Sequence, residues 1–334
     1  MKVLITGSAG FIGSNLVDKL VDSCELLFGI DNINDYYDLE LKYDRLKNNG
    51  INFNSDTKED IIVSSKYKNY FFSKIDLCDL QNLKQIFTKY KFSHVIHLAA
   101  QAGVRYSIKN PRTYIKSNVE GFFNIIDLSK IHNIKHLIYA SSSSVYGNRT
   151  SVPFFENDNV NSPESLYAAT KVSNEMIAHS YSKIYNLNST GLRFFTVYGP
   201  WGRPDMAPFL FADAIINKKE ISVFNNGDML RDFTYIDDIV SGIITVLNKS
   251  DHNKSNQILN IGFGNPVNLL EFIKILEKEI GEKALINFLP MQKGDVKKTW
   301  ANVDKLNNLG YKPSIKLDEG ISRFIFWFKN YYNV

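Results

Sequence analysis

Short apolar runs alternate with stretches of helical spacing through the first two thirds of the chain. Lys2–Thr6 is a continuous apolar run, the form a strand takes when both of its faces are covered. Phe11–Val21 carries Phe11, Ile12, Leu16, Val17 and Leu20 at helical spacing. The alternation continues with strands at Leu26–Ile30, Tyr70–Ile75, His94–Leu98, His136–Ser141 and Asn188–Phe194. Helices are expected over Asn118–Lys130 and from Pro163 to about Tyr185, since proline suits a first turn whose N–H has no partner to lose. Strands separated by helices make right-handed βαβ units, so the expected fold class is α/β, with a Rossmann-type doubly wound parallel sheet. After Gly199 the rhythm breaks at Gly199-Pro200-Trp201-Gly202-Arg203-Pro204. Helices near 205–217, 236–248, 267–280 and 317–330 then mix with short strands, which predicts a smaller C-terminal α/β substrate-binding lobe. The domains are expected at 1–198 and 199–334, with some chain crossing back to the sheet. Residues 47–69 are polar and rich in Asn, Ser and Lys, and are expected to form a surface excursion.

Composition narrows the class. The 334 residues are 44% hydrophobic and 22% charged, ordinary for a globular protein large enough to bury its own core. A net charge of +4 is too weak and dispersed to imply nucleic acid or an anionic membrane, though a small anionic substrate needs only local positive charge. Two cysteines, Cys24 and Cys78, exclude a disulfide framework, and no His or acidic group stands at ligand spacing, so no metal is expected. His97 is expected to be packed or hydrogen-bonded at its strand end. Without a signal-like hydrophobic region or an 18-residue apolar run, the chain is expected to be soluble and cytoplasmic.

Gly7-Ser8-Ala9-Gly10-Phe11-Ile12-Gly13 follows a strand and opens a helix, the context a dinucleotide-binding loop requires. The first glycine permits the tight turn, the second admits a pyrophosphate, and the third lets helix and strand pack closely. The pyrophosphate then rests on the positive end of the helix dipole. Spacing here is one residue longer than G-x-G-x-x-G, and a lone glycine motif also fits a plain βα turn. Asp31 adds support: it ends the second strand, where an acid accepts from the ribose 2′-hydroxyl. Asn32-Ile33 follow, with no arginine to hold a 2′-phosphate, so NAD is favoured over NADP. Asp76-Leu77 ends the next strand, where Asp76 either reaches the adenine or caps a helix.

Ser141-Ser142-Ser143-Ser144 ends the fifth strand, and Tyr167 and Lys171 follow, four residues apart on one helical face. A free tyrosine has a pKa of about 10, too high for a base at neutral pH. An adjacent ammonium favours the phenolate. A serine hydroxyl can hold the oxygen whose proton moves. By itself Tyr-x-x-x-Lys is common surface decoration. Behind a serine-rich strand end in a nucleotide-binding chain, it reads as a proton-transfer site.

On these residues the chain resembles the extended short-chain dehydrogenase/reductase family over nearly all of its length. Within that family it is most similar to the UDP-glucuronate 4-epimerases. The specific stretches are Asn34-Asp35-Tyr36-Tyr37-Asp38 with Leu41-Lys42 and Arg45-Leu46; Gly103-Val104-Arg105-Tyr106-Ser107; Arg193–Ala207, including Gly202-Arg203-Pro204-Asp205; and Arg231–Asp238. The resemblance implies Tyr167 as base, with Lys171 tuning it and holding the nicotinamide ribose, and Ser142 and Ser143 against the reacting sugar. It implies a cofactor set of Gly7, Ala9, Gly10, Phe11, Ile12 and Gly13, then Asp31, Asn32, Asp76 and Leu77. Leu98, Ala99 and Ala100 complete that set beside Tyr167 and Lys171. Substrate contacts implied are Arg105, Ser143, Thr196, Arg203, Phe224, Arg231 and Asp295. Arg231 also reads as a salt-bridge partner of Asp232 or Asp237, and Arg203 of Asp205. Lys293 and Asn302 depart from the family, which generally has proline and aspartate there.

The implied activity is NAD-dependent C4 epimerisation of a UDP-sugar, UDP-glucuronate to UDP-galacturonate, through a 4-keto sugar. A homodimer through the helices near 113–131 and 163–185 is implied as well. The alternatives are a UDP-hexose 4-epimerase, a decarboxylase, a 4,6-dehydratase, or an NAD-binding regulator without catalysis. Ser143 and Ser144 stand where a dehydratase usually has an acidic pair, and an intact Ser142, Tyr167 and Lys171 argue against a regulator.

Overall fold

The computed structural model describes residues 1–249, 256–292 and 294–334. The chain forms two compact units, one of 1–142, 165–193 and 243–259, the other of 143–164, 194–242 and 260–334. Where the sequence suggests one main changeover near 199, the chain passes between the units five times.

The first unit is built on β1 (Lys2–Thr6), β2 (Leu26–Asp31), β3 (Ile62–Val63), β4 (Tyr70–Lys74), β5 (His94–His97), β6 (His136–Ser142) and β7 (Ser189–Phe194). Together with the strand Asn256–Ile261 they form one eight-stranded sheet, in which β1 lies between β5 and β2. β1 pairs in parallel with both neighbours, as do β2 with β4 and β5 with β6. Val3, Leu4 and Ile5 are fully buried, which is why β1 is a continuous apolar run. The strand order turns back at β1, and ligands of open α/β sheets gather beyond the strands' carboxyl ends at such a point. α1 (Phe11–Leu20) buries Phe11, Leu16, Val17 and Leu20, the face expected from its spacing. A core of Phe28, Phe87, Phe92, Phe122 and Ile125 fills one face of the sheet.

Four local expectations change. The helix expected from Pro163 begins instead at Leu166, because the Ser165 side chain caps it by accepting from the Ala168 N–H at 3.1 Å. The helix expected over Asn118–Lys130 is interrupted by a π turn at Ile115–Glu120 before Gly121–Ile131. The polar excursion carries an edge strand, β3, antiparallel to β4. A helix at Leu39–Asn48, with little apolar periodicity, begins at Asp38, whose side chain accepts from the Glu40 N–H.

In the second unit, Thr196–Tyr198 pairs in parallel with Phe233–Tyr235, and Glu220–Phe224 with Leu285–Leu289. Leu230–Arg231 pairs antiparallel with Val267–Asn268. The C-terminal helix Leu317–Tyr332 buries Phe324 and Phe328 but leaves Phe326 exposed. Phe209 and Trp201 meet this helix at Phe328 and Trp327, with ring centroids 5.0 and 5.3 Å apart. Among the described residues, no helix is long and apolar enough to cross a membrane.

Candidate active site

The glycine loop after β1 is shaped by backbone contact. Gly7 has a φ of +76°, and a Cβ there would lie 2.8 Å from the Ala99 nitrogen. Thr6 Oγ1 accepts the Ala99 N–H at 3.1 Å, so the ends of β1 and β5 are tied at this point. A Cβ on Gly13 would fall 2.1 Å from the Gly7 carbonyl oxygen, which explains why the third residue of α1 is glycine. α1 opens at Gly10 with no side-chain cap, so Phe11, Ile12 and Gly13 form an uncapped helix N-terminus.

Asp31 closes β2 and reaches this loop. Its carboxylate accepts the Ala9 N–H at 3.3 Å and the Ile33 N–H at 2.9 Å. Asp76 accepts from Asn32 Nδ2 at 3.0 Å and from the Cys78 N–H at 2.8 Å, bonds that hold its carboxyl below the usual range against the effect of burial. The helix that follows is capped by Asp79, not Asp76. Leu77 is buried where glycine at 121 leaves room for it.

Beside Asp31 stand two buried cations that the immediate Asn32-Ile33 context does not reveal. Lys42 Nζ donates to the Asn34 carbonyl and to Asn34 Oδ1, at 2.5 and 2.8 Å. Burial lowers its pKa while Asp31 opposes that shift. Arg45, 1% exposed, donates from Nη1 to the Ala9 carbonyl at 3.3 Å and to the Tyr37 hydroxyl at 2.6 Å. The Leu39–Asn48 helix brings both back to the loop.

At the end of β6, Ser142 is buried and Ser141 Oγ donates to Glu175 at 2.5 Å. Lys171 is 2% exposed and donates from Nζ to the Ala140 carbonyl at 2.8 Å. The same Nζ lies 5.9 Å from the Tyr167 ring centroid. Burial pulls the Lys171 pKa down to about 8, against the opposing charge of Glu175. The Tyr114 ring packs edge-on against Tyr167 at 6.1 Å. Asn118, in the π turn, accepts the Gln101 N–H at 2.7 Å and donates to the Gln101 carbonyl and Thr170 Oγ1 at 3.0 and 3.1 Å. It fastens the segment after Leu98-Ala99-Ala100 to the Tyr167 helix. His97 accepts or donates at Thr6 Oγ1 over 2.9 Å and is driven by burial to a pKa of about 3, a neutral packed histidine as expected.

Arg105 lies exposed on the short helix Val104–Lys109 of the first unit. The remaining candidates belong to the second unit. Ser143 opens the turn Ser143–Tyr146. Thr196 begins its strand, and its N–H donates to the Asp232 carbonyl at 3.1 Å. Arg231 donates to the Leu230 and Lys297 carbonyls at 2.9 and 3.1 Å. The Asp232 carboxylate is instead held by the N–H groups of Phe263, Gly264 and Ala301, and Asp237 faces Arg323 at 3.5 Å. Arg203 forms a two-pronged pair with Asp205, at 2.9 and 2.5 Å. Phe224 ends its strand, and the Asp295 N–H donates to the Gln292 carbonyl at 3.4 Å. Lys293 lies outside the described residues. Asn302 Nδ2 bonds Asp304 at 2.7 Å, a local turn contact.

A family model described as the NAD dependent epimerase/dehydratase family matches residues 3–262. The chain belongs to this family. It is 49% identical to Protein CapI of Staphylococcus aureus, over 99% of both chains. It is 42% identical to UDP-glucuronate 4-epimerase 4 of Arabidopsis thaliana, over 99% of this chain and 76% of that protein. Among solved structures, it is similar to the UDP-glucuronic acid 4-epimerase of Bacillus cereus in complex with UDP-glucuronic acid and NAD. That match has a TM-score of 0.87 and 33% identity, over 99% of this chain and 100% of the other.

The first unit fits the NAD that names the family. An uncapped helix N-terminus suits a pyrophosphate, Gly7, Gly10 and Gly13 leave no Cβ in its way, and the Asp31 carboxylate stands beside them. Lys42, Arg45, Asn118 and Thr170 were not singled out as site residues in the sequence; Arg45, Asn118 and Thr170 are held by partners 17 to 52 residues away, and Lys42 by Asn34 in the turn before its own helix.

Replacing Asp31 with alanine is expected to weaken NAD binding by about ten- to a hundredfold, the loss of one or two hydrogen bonds to a charged group. Discrimination against NADP falls too, because Lys42 and Arg45 then face the 2′-phosphate without an opposing carboxylate. Titrating both cofactors into stripped protein reads both effects. An unchanged preference would leave Asp31 only the task of holding the Ala9 turn.

Proposed function

We propose that this protein inverts C4 of UDP-glucuronate to give UDP-galacturonate, with NAD regenerated in each turnover. The observation that carries the chemistry is Lys171, fixed on the Ala140 carbonyl below the Tyr167 ring, at the end of the strand that delivers Ser142. The substrate class rests on the near full-length likeness to UDP-glucuronate 4-epimerases of a plant and of Bacillus cereus.

Tyr167 takes the proton of the 4-hydroxyl, and the Lys171 ammonium favours its phenolate. Ser142 and Ser143 hold O4 as the proton moves. NAD, when bound, would supply the hydride acceptor and donor for C4, and inversion follows because the 4-keto sugar turns over in the pocket and presents its opposite face. Tyr167 then gives the proton back. Lys171 also holds the nicotinamide ribose, and Thr196 and Arg231 take the diphosphate, where a guanidinium fork matches phosphate oxygens.

The 4-keto sugar is a β-keto acid, and it loses CO₂ when the C5–C6 bond aligns with the carbonyl π system. An epimerase therefore has to restrain the C6 carboxylate. We assign that restraint to Arg203, whose two-pronged grip on Asp205 is already in carboxylate-binding geometry. Meeting the sugar requires Arg203 to exchange or share Asp205.

We also infer pairing of two copies through the helices Gly121–Ile131 and Leu166–Tyr185. Phe123 and Tyr181 pack these helices together, yet Phe123, Met176 and Ile184 remain 47%, 55% and 65% exposed. Apolar exposure of that kind marks an interaction face. Sedimentation at micromolar concentration should give twice the 38.2 kDa chain mass, and a monomer would contradict the pairing.

Incubating the purified protein with UDP-glucuronate, without added NAD, should yield UDP-galacturonate. Tyr167→Phe should keep cofactor and sugar binding but lose turnover by about 10²–10⁴-fold. A variant with more than about a tenth of the wild-type rate contradicts the base assignment.

Arg203→Ala should slow epimerisation and release CO₂ from the 4-keto sugar, so a UDP-4-ketopentose and reduced cofactor accumulate together. Mass-resolved product analysis reads both. Wild-type turnover with no 4-ketopentose would sink the clamp and move the assignment to Arg105.

A further inference from the structure

A buried ion pair lies one helical turn below Lys171, and the proton transfer described above makes no use of it. Glu175 is 2% exposed. Its Oε1 accepts from Ser141 Oγ at 2.5 Å and from Arg193 Nε at 2.9 Å, and its Oε2 accepts from Arg193 Nη2 at 2.8 Å. Three elements meet in this cluster: the Leu166–Tyr185 helix, β6 and β7. Ala140, whose carbonyl takes the Lys171 ammonium, is the residue before Ser141.

Such a pair is weak evidence of stabilisation, because desolvating two charges offsets most of their attraction. An apolar pair would hold the three elements together as well. The place of this one points elsewhere. Lys171 is sunk where burial works against its charge, and Glu175 is the group that opposes burial there. The other titratable groups around it contribute little compensation. On its own helix, Tyr167 is the acid to be ionised. From β5, His97 is neutral, and from β6, Tyr139 is held protonated by burial. From β7, Arg193 carries the charge that partly cancels Glu175.

We propose that Glu175, clamped by Arg193 and Ser141, is a positioning residue that supplies the negative charge against which the Lys171 ammonium is held beneath Tyr167. Arg193 sets how much of that charge Lys171 feels. The proposal rests on Tyr167 and Lys171 being the proton-transfer pair. Without Glu175, Lys171 loses its proton at lower pH, and a neutral amine no longer favours the phenolate.

The test is the pH dependence of kcat on UDP-glucuronate, measured on the NAD-loaded enzyme. In the wild type, kcat should fall above about pH 8 as Lys171 deprotonates. Glu175→Gln leaves the Arg193 cation uncompensated, so this alkaline limb should move down by about one pH unit or more, with KM little changed. In Glu175→Gln/Arg193→Met neither charge remains, and most of that displacement should be recovered. Ser141→Ala keeps both charges and removes only the hydroxyl that disperses the carboxylate. Its limb should move up by about half a unit, and this variant carries the test where the charge variants do not fold. A uniform loss of kcat at every pH with unmoved limbs, or a double variant displaced further than the single, would overturn the proposal. Tyr167→Phe run alongside separates the two layers. If it stays active, the proton-transfer reading fails and the Glu175 role falls with it. If it is inactive while the limbs of the Glu175 and Ser141 variants stay put, only the Glu175 role fails.

Discussion

Two backbones meet almost in van der Waals contact where β1 and β5 end, and the nucleotide-binding half of the molecule is arranged around that meeting. The Gly7 turn can press on Ala99 only because neither a Cβ at 7 nor a large side chain at 99 intervenes. Thr6 locks the approach through its hydroxyl. Gly13 then allows α1 to start directly against the Gly7 carbonyl, so an uncapped helix N-terminus opens beside the point where the strand order turns back. Asp31 reaches the same loop from β2 through the Ala9 N–H, and Arg45 reaches it from the far side through the Ala9 carbonyl. The loop that fits a nucleotide is thus made mostly of backbone, and a handful of side chains hold that backbone in shape.

The second theme is burial of charge. Lys42, Arg45, Lys171, Glu175 and Arg193 are all nearly inaccessible. Transfer of an ion from water is costly unless it is paired and hydrogen-bonded. Each of these finds such partners: Asn34 for Lys42, the Ala9 carbonyl and Tyr37 for Arg45, the Ala140 carbonyl for Lys171, and a three-membered cluster for Glu175, Arg193 and Ser141. The arrangement places fixed positive charge around the Asp31 loop and a titratable cation under Tyr167. A fold selected for stability alone would gain more from apolar residues at several of these positions. Their presence fits a site that binds an anionic cofactor and moves a proton.

Much of this was legible in the sequence. The alternation of β-type runs with helical spacing located β1, β2, β4, β5, β6 and β7 to within a residue or two, and β1 is also a continuous apolar run because both its faces are covered. The Gly7–Gly13 spacing located the tight turn between β1 and α1, since only glycine tolerates the φ of +76° at 7 and the carbonyl contact at 13. The pairing of Tyr167 with Lys171 followed from helical geometry, which sets residues four apart on one face. Each of these rests on local rules, in which the residue and its near neighbours carry the whole constraint.

What the tertiary structure decided are the contacts between segments distant in sequence. Pro163 looked like a helix start until the Ser165 cap moved it to Leu166. The π turn that points Asn118 at Gln101 and Thr170 has no period of its own to read. Lys42 and Arg45 were expected on no cofactor surface, because the helix carrying them has little apolar pattern and Arg45 meets the loop at Ala9, 36 residues away. Glu175 and Arg193 became a pair only when β7 was laid beside β6 in the sheet. A buried charge is fixed by its partner, and sequence spacing holds no record of which strand will bring that partner near.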